Sequence, residues 1–249
     1  MESKVIFNAD DFGYSRAINL GIIQAHKNGI LSSTTIMPNM PGFENGIFLA
    51  KENPNLGIGV HLTLTCGSPV LSDVHSLCQK DGKFHKLEFY EEPFKISEEE
   101  LYREWDAQIL KVLNAGIKPT HLDSHHHVNI LPPMKEVFIK LARKYELPVR
   151  NNFDVPEDIK TVKRFFLGFD LLSLDKEIWK PLTFNNLIQD CQTFGTVEVM
   201  CHPGFLDHVI IENSSMATQR VFVCKELQFD RYKKLLEQNE VKIVTYGDI

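Results

Sequence analysis

The sequence predicts an α/β fold, a single (β/α) barrel of TIM type, irregular or incomplete, formed by residues 1–249 as one domain. Three observations predict it. Short apolar, β-branched segments alternate with segments of helical periodicity along the whole chain, the pattern of a parallel sheet covered by helices. About seven such units fit in 249 residues, close to the count of a full barrel. No Gly-, Ser- or Pro-rich linker divides the chain, and neither G-x-G-x-x-G nor G-x-x-x-x-G-K-[ST] is present to favour the structural alternative, an open flavodoxin-like sheet.

The elements follow in order. Residues 4–7 (KVIF) are a short strand, and 15–29 a helix with Ile18, Ile22 and Ala25 on one face and a stop at Gly29. Residues 32–37 are a strand, 42–53 a helix, and 56–65 (LGIGVHLTLT) alternate with the period of a strand. Residues 66–96 form a long excursion rich in turn residues, expected to cover the site or meet a second subunit. A capping box from Ser97 to Glu100 opens a helix with Leu101, Trp105, Ile109 and Val112 on one face, ending at Gly116. Strands at 119–124 and 147–151 flank a helix at 134–146; residues 152–180 have no clear pattern. A helix at 185–194, a strand at 196–202, a helix at 225–239 and a strand at 241–246 complete the chain.

Composition narrows the function. A formal charge of −6 with no Lys/Arg-dense stretch argues against nucleic acid and anionic membranes as partners. The start lacks a basic leader and no run of eighteen apolar residues occurs, so a soluble cytoplasmic protein is expected. Five widely spaced cysteines, never in C-x-x-C, fit neither a disulfide framework nor a zinc ribbon and read as ordinary buried thiols.

The informative polar residues fall at strand C-termini. Asp10 and Asp11 end the first strand, His61 lies late in the third, "HLDSHHHV" (121–128) ends another, and "CHPG" (201–204) follows the strand at 196–202. In a parallel barrel those ends share the face where active sites are built. Singly each has a bland reading, as a helix cap, a satisfied core histidine or a solvated turn. Together they suit a hydrolytic metal, which needs a few fixed ligands and an open position. An extended backbone puts His121, Asp123 and His125 on one face and His126 on the other. Asp10 and Asp11 point in different directions, so one can bind metal while the other remains a base.

"NADDFGYS", "GVHLTLT", "THLDSHHHV" and "CHPG", in this order, resemble the YdjC-like carbohydrate deacetylases, the group that includes chitooligosaccharide deacetylase. The resemblance implies an often irregular (β/α) barrel, frequently a dimer, that removes acetyl groups from N-acetylated sugars with one divalent ion. Carried over by motif, it implies Asp11, His61 and His125 as metal ligands, Asp10 as general base and His202 as acid; separately, one of His126 and His127 is expected to orient a ligand or the substrate. Where the family often has a further histidine, this chain has Asn129. Magnesium is the ion the resemblance implies, whereas two imidazoles and a carboxylate suit zinc or another transition metal on ligand preference. The expected partner is an acetylated mono- or oligosaccharide, bound by a homodimer. Tyr14, Phe43 and Trp179 are candidates for stacking on the sugar, and Trp105 for the core. The alternatives are another metal-dependent barrel enzyme (sugar isomerase or phosphoesterase), a glycoside hydrolase using Asp10 and Asp123, or a non-catalytic sugar-binding protein.

Overall fold

The computed structural model describes residues 2–169 and 181–249, and in it the first apolar run grows into β1 (Ser3–Phe12). That strand extends past residue 7 and includes Asn8, Asp10 and Asp11, because each of these buried polar side chains finds a partner distant in sequence: His121, Arg150 and Arg220. Around it lie β2 (Ser33–Ile36), β3 (Gly57–Leu62), β4 (Leu122–Ser124), β5 (Arg164–Phe166), β6 (Thr196–Cys201) and β7 (Val241–Ile243). All pairings between these strands are parallel, in the order β4-β3-β2-β1-β6-β5. β7 pairs with Ser3–Val5 and β2 with Asn8–Phe12 on one edge of β1, while β6 runs along the other.

Among the described residues, the gap between the edge strands β4 and β5 is spanned only by single bridges, Leu122 to Val149 and Val149 to Thr161, the latter three residues before β5. The fold is therefore an α/β sheet curved into an incomplete barrel rather than a full TIM ring. The strand expected at 147–151 contracts to one bridging residue, Val149.

The helices α1 (Arg16–Asn28), α2 (Phe43–Lys51), α3 (Glu98–Asn114), α4 (Met134–Tyr145), α5 (Pro181–Phe194), α6 (His208–Asn213), α7 (Thr218–Glu226) and α8 (Asp230–Gln238) cover the sheet. Ser97 caps α3 by accepting from the Glu100 amide, but the reciprocal half of the expected capping box is absent. The Glu100 carboxylate instead accepts from the amide and hydroxyl of Ser76. Glu104 likewise accepts from the amides of Val70 and Leu71, so α3 fastens the excursion at 66–96. The helix expected over 225–239 is broken: α7 stops at Glu226, and the Leu227 carbonyl accepts from the Ile30 amide.

Trp105 is fully buried and meets Phe138 edge-on between α3 and α4, as a core residue should. Tyr14 and Phe43 are also buried, which removes them as sugar platforms; Trp179 lies outside the described residues. All five cysteines are free thiols, with Cys191, Cys201 and Cys224 buried. Among the described residues no helix is long and apolar enough to cross a membrane.

Candidate active site

The register of β1 against β2 shifts between Ala9 and Phe12, and at that irregularity Asp11 takes a left-handed backbone with φ 72°. Irregularities of this kind re-aim side chains. Asp10 forms a bidentate pair with Arg150, with Nη1 2.8 Å from Oδ2 and Nη2 2.6 Å from Oδ1. Asp11 turns instead to His125, whose Nδ1 lies 3.0 Å from Oδ1, and to Arg220, whose Nη2 donates to Oδ2 at 2.6 Å.

His61, late in β3, places Nε2 3.5 Å from the same Asp11 Oδ1. One ligand atom from each of Asp11, His61 and His125 lies within 4.8 Å of the others, and all three residues are buried. His202, just beyond β6, has Nε2 3.9 Å from Asp10 Oδ2. The fold thus assembles all five residues singled out in the sequence, with Asp10 and His202 beside the Asp11, His61 and His125 cluster.

These residues fit a divalent ion. Asp11 Oδ1 is buried with no hydrogen-bond donor, since neither nearby imidazole is aligned to donate to it. An unsatisfied buried acceptor costs about 1–3 kcal/mol, a cost that a cation would remove. His61 Nδ1 lies 2.7 Å from Asp123 Oδ1, and the Thr35 hydroxyl donates to Asp123 Oδ2 at 3.0 Å. That arrangement orients the ring with Nε2 toward Asp11, as carboxylates behind metal-bound histidines do. Asp123 therefore supports the candidate ligand His61 from behind.

A second trio, Asp10, His61 and Asp123, also has ligand-like spacing. Arg150 already supplies its cation: fully buried, it meets Asp10, Asp123 (2.9 Å) and Glu198 (2.8 Å), and lies over the Phe165 ring. The Tyr246 hydroxyl donates to the other Glu198 oxygen. Burial opposes the charge of Asp10, but the Arg150 guanidinium outweighs it and holds the carboxyl well below the usual range. Burial and Arg220 act in the same opposed way on Asp11, with the same outcome. Burial disfavours a charged His61, yet Asp123 and Asp10 push its imidazole up to about 10, so a cation would compete with that proton.

His126 and His127 both have left-handed backbones, φ 56° and 54°. His126 Nδ1 lies 2.9 Å from the Thr65 hydroxyl, and His127 Nδ1 3.2 Å from the Asn152 amide. Burial pushes their imidazoles down, to about 3 and about 4.

Sequence reasoning missed Arg150, Glu198 and Arg220. Arg150 ends an apolar run (LPVR), the same signal that marked Asp10 and His61, and Glu198 is a lone carboxylate inside the strand VEVMC. No local pattern marks Arg220, which reaches Asp11 across 209 residues of sequence.

Residues 4–242 match the model of the family described as YdjC-like protein. A carbohydrate deacetylase of Brevibacillus brevis is 40% identical over 256 residues, covering 99% of both chains. A carbohydrate deacetylase of Clostridium beijerinckii is 39% identical over 250 residues, covering 99% of this chain and 100% of that one. The crystal structure of a proposed cellobiose-phosphate cleavage protein from Enterococcus faecalis V583 superimposes with a TM-score of 0.90 at 34% identity, covering 100% of this chain and 99% of that one.

Proposed function

This chain belongs to the YdjC-like protein family, and from that premise we propose that it is a metal-dependent carbohydrate deacetylase, hydrolysing the acetamide of an N-acetylated sugar or oligosaccharide of the chitooligosaccharide kind. The observation that carries this reading is the orphaned Asp11 Oδ1 facing two imidazoles, with a carboxylate and a further imidazole alongside.

Asp11, His61 and His125 would hold the divalent ion, which when bound polarises the acetyl carbonyl and lowers the pKa of water. Asp10, kept ionised by Arg150, accepts the proton of the attacking water. A carboxylate so paired is a weak base, which suits brief custody of a proton needed again at the leaving nitrogen. His202, 3.9 Å from Asp10, delivers a proton to that amine. Zinc or another transition metal suits the donor set on ligand preference, and magnesium follows from the resemblance alone.

Hydrolysis of a glycosidic bond by Asp10 and Asp123 fits less well, because Arg150 holds both carboxyls ionised, leaving the pair without a general acid, and Asp123 is also committed to His61. Within this reading the chain is a single-domain cytoplasmic enzyme working as a homodimer, features supported by the family resemblance only. The test is a panel of N-acetylated mono- and oligosaccharides, with and without phosphate, read as free acetate. Release from N-acetylglucosamine oligomers is the expected result, and no acetate from any member would overturn it.

A further inference from the structure

His127 follows two residues after the candidate ligand His125, and neither the metal cluster nor the proposed acid–base pair uses it. Its orientation is set by a chain of polar groups that begins at the buried Ser124. The Asn129 amide N–H donates to Ser124 Oγ at 3.0 Å, and the Ser124 hydroxyl donates to Asn129 Oδ1 at 2.7 Å. Asn129 Nδ2 then donates to Asn152 Oδ1 at 3.0 Å, and Asn152 Nδ2 lies 3.2 Å both from Asn129 Oδ1 and from His127 Nδ1.

The direction of this chain is fixed by one proton. Reversing both amides would leave the Ser124 hydroxyl hydrogen, on a residue 1% exposed, with no acceptor. His127 Nδ1 is therefore an acceptor, and the ring's proton sits on Nε2. Among the described residues no side chain is hydrogen-bonded to Nε2. The ring stands on the Asp10 side of the centre: it meets Phe165 edge-on, and Arg150 lies over that same phenyl ring. Asn129 occupies the place where the sequence departs from the family pattern, and it is the central link of the relay.

We propose that His127 is a substrate-binding residue that donates a hydrogen bond from Nε2 to a neutral oxygen of the acylated sugar, its tautomer set by the Ser124, Asn129 and Asn152 relay. This rests on the deacetylase reading above. The left-handed backbone at residue 127 (φ 54°) supplies a sharp control. Asn tolerates that conformation better than Gln does, whereas Gln extends its amide nitrogen to the place of Nε2 and Asn only to that of Nδ1. A backbone role thus ranks His127→Asn above His127→Gln, and a donor role ranks them the other way.

The experiment uses the full chain with N,N′-diacetylchitobiose as the probe. Nitrogen-15 NMR of the imidazoles should show His127 protonated on Nε2; protonation on Nδ1 overturns the relay. In acetate-release kinetics His127→Gln should keep KM within about threefold, and His127→Asn should raise it about tenfold, the size of one lost hydrogen bond, with kcat little changed. Acetate release by the wild-type chain with equal KM in the two variants, or with the order reversed, overturns the role of His127 alone. Absence of acetate from the wild-type chain overturns the sugar as ligand together with the reading on which it rests.

Discussion

Asp10 and Asp11 are neighbours in sequence that should fail in different ways. Asp11→Asn keeps the side-chain shape but removes the anion facing His61 and His125, so metal affinity should fall and added metal should restore part of the rate. Asp10→Asn leaves that cluster intact and removes the proton acceptor, which costs about 10²–10⁴-fold in rate for a general base. Excess metal should not rescue it. Metal content measured beside acetate release separates the two; loss of metal in Asp10→Asn but not in Asp11→Asn would swap the roles. The separation was readable in the sequence only as far as adjacent strand residues point apart. Which one meets the cluster is decided by the register shift before Phe12 and by Arg150 and Arg220, both distant in sequence.

At the scale of elements, α1 sets the position of the loop that carries His202. A Cβ on Gly21 would lie 2.6 Å from Gly204 Cα and 2.9 Å from the Phe205 amide nitrogen, and backbone atoms cannot rotate away as a flexible side chain would. Gly21→Ala should shift this loop, reducing acetate release while metal content stays unchanged. Intrinsic helix propensity alone predicts the opposite, a gain of about 1 kcal/mol in stability with the rate unaffected, so rate and melting temperature together decide. Elements with strong local signals were legible: the Ser97 cap, the apolar stripe of α3 and the alternation in β3 all have their structural counterparts. The closing edge was not. β5 is three residues long and its connection to β4 runs through single bridges at Val149 and Thr161, pairings set by tertiary position rather than by periodicity. The break between α7 and α8 was hidden for a similar reason, because the Leu227 carbonyl is taken by Ile30 from a distant part of the chain.

For the whole molecule, the buried polar interior couples stability to pH. His121 stacks on Tyr246 at 3.8 Å, with Nε2 3.1 Å from Asn8 Oδ1 and Nδ1 2.9 Å from the Thr120 hydroxyl. Burial pushes its imidazole down to about 3, below the unfolded value of about 6.5. Its contribution is therefore fully present above about pH 6.5 and is lost as pH falls toward the folded value. Between pH 6.5 and 5 this one group should remove about 2 kcal/mol of stability. Urea unfolding of the wild type and of His121→Asn at pH 7 and pH 5 isolates it: the wild type should lose more stability on acidification by about that amount, and equal losses would contradict it. The curved sheet brings such groups together with the site, so what folds the interior also sets the geometry of Asp10, Asp11, His61, His125 and His202. The most direct measurement of the central claim is free acetate released from N-acetylglucosamine oligosaccharides by the wild-type chain before chelation, after chelation and after a divalent ion is restored. The account predicts release that is lost on chelation and recovered with the ion; release undiminished by chelation, or none under any of the three conditions, would contradict it.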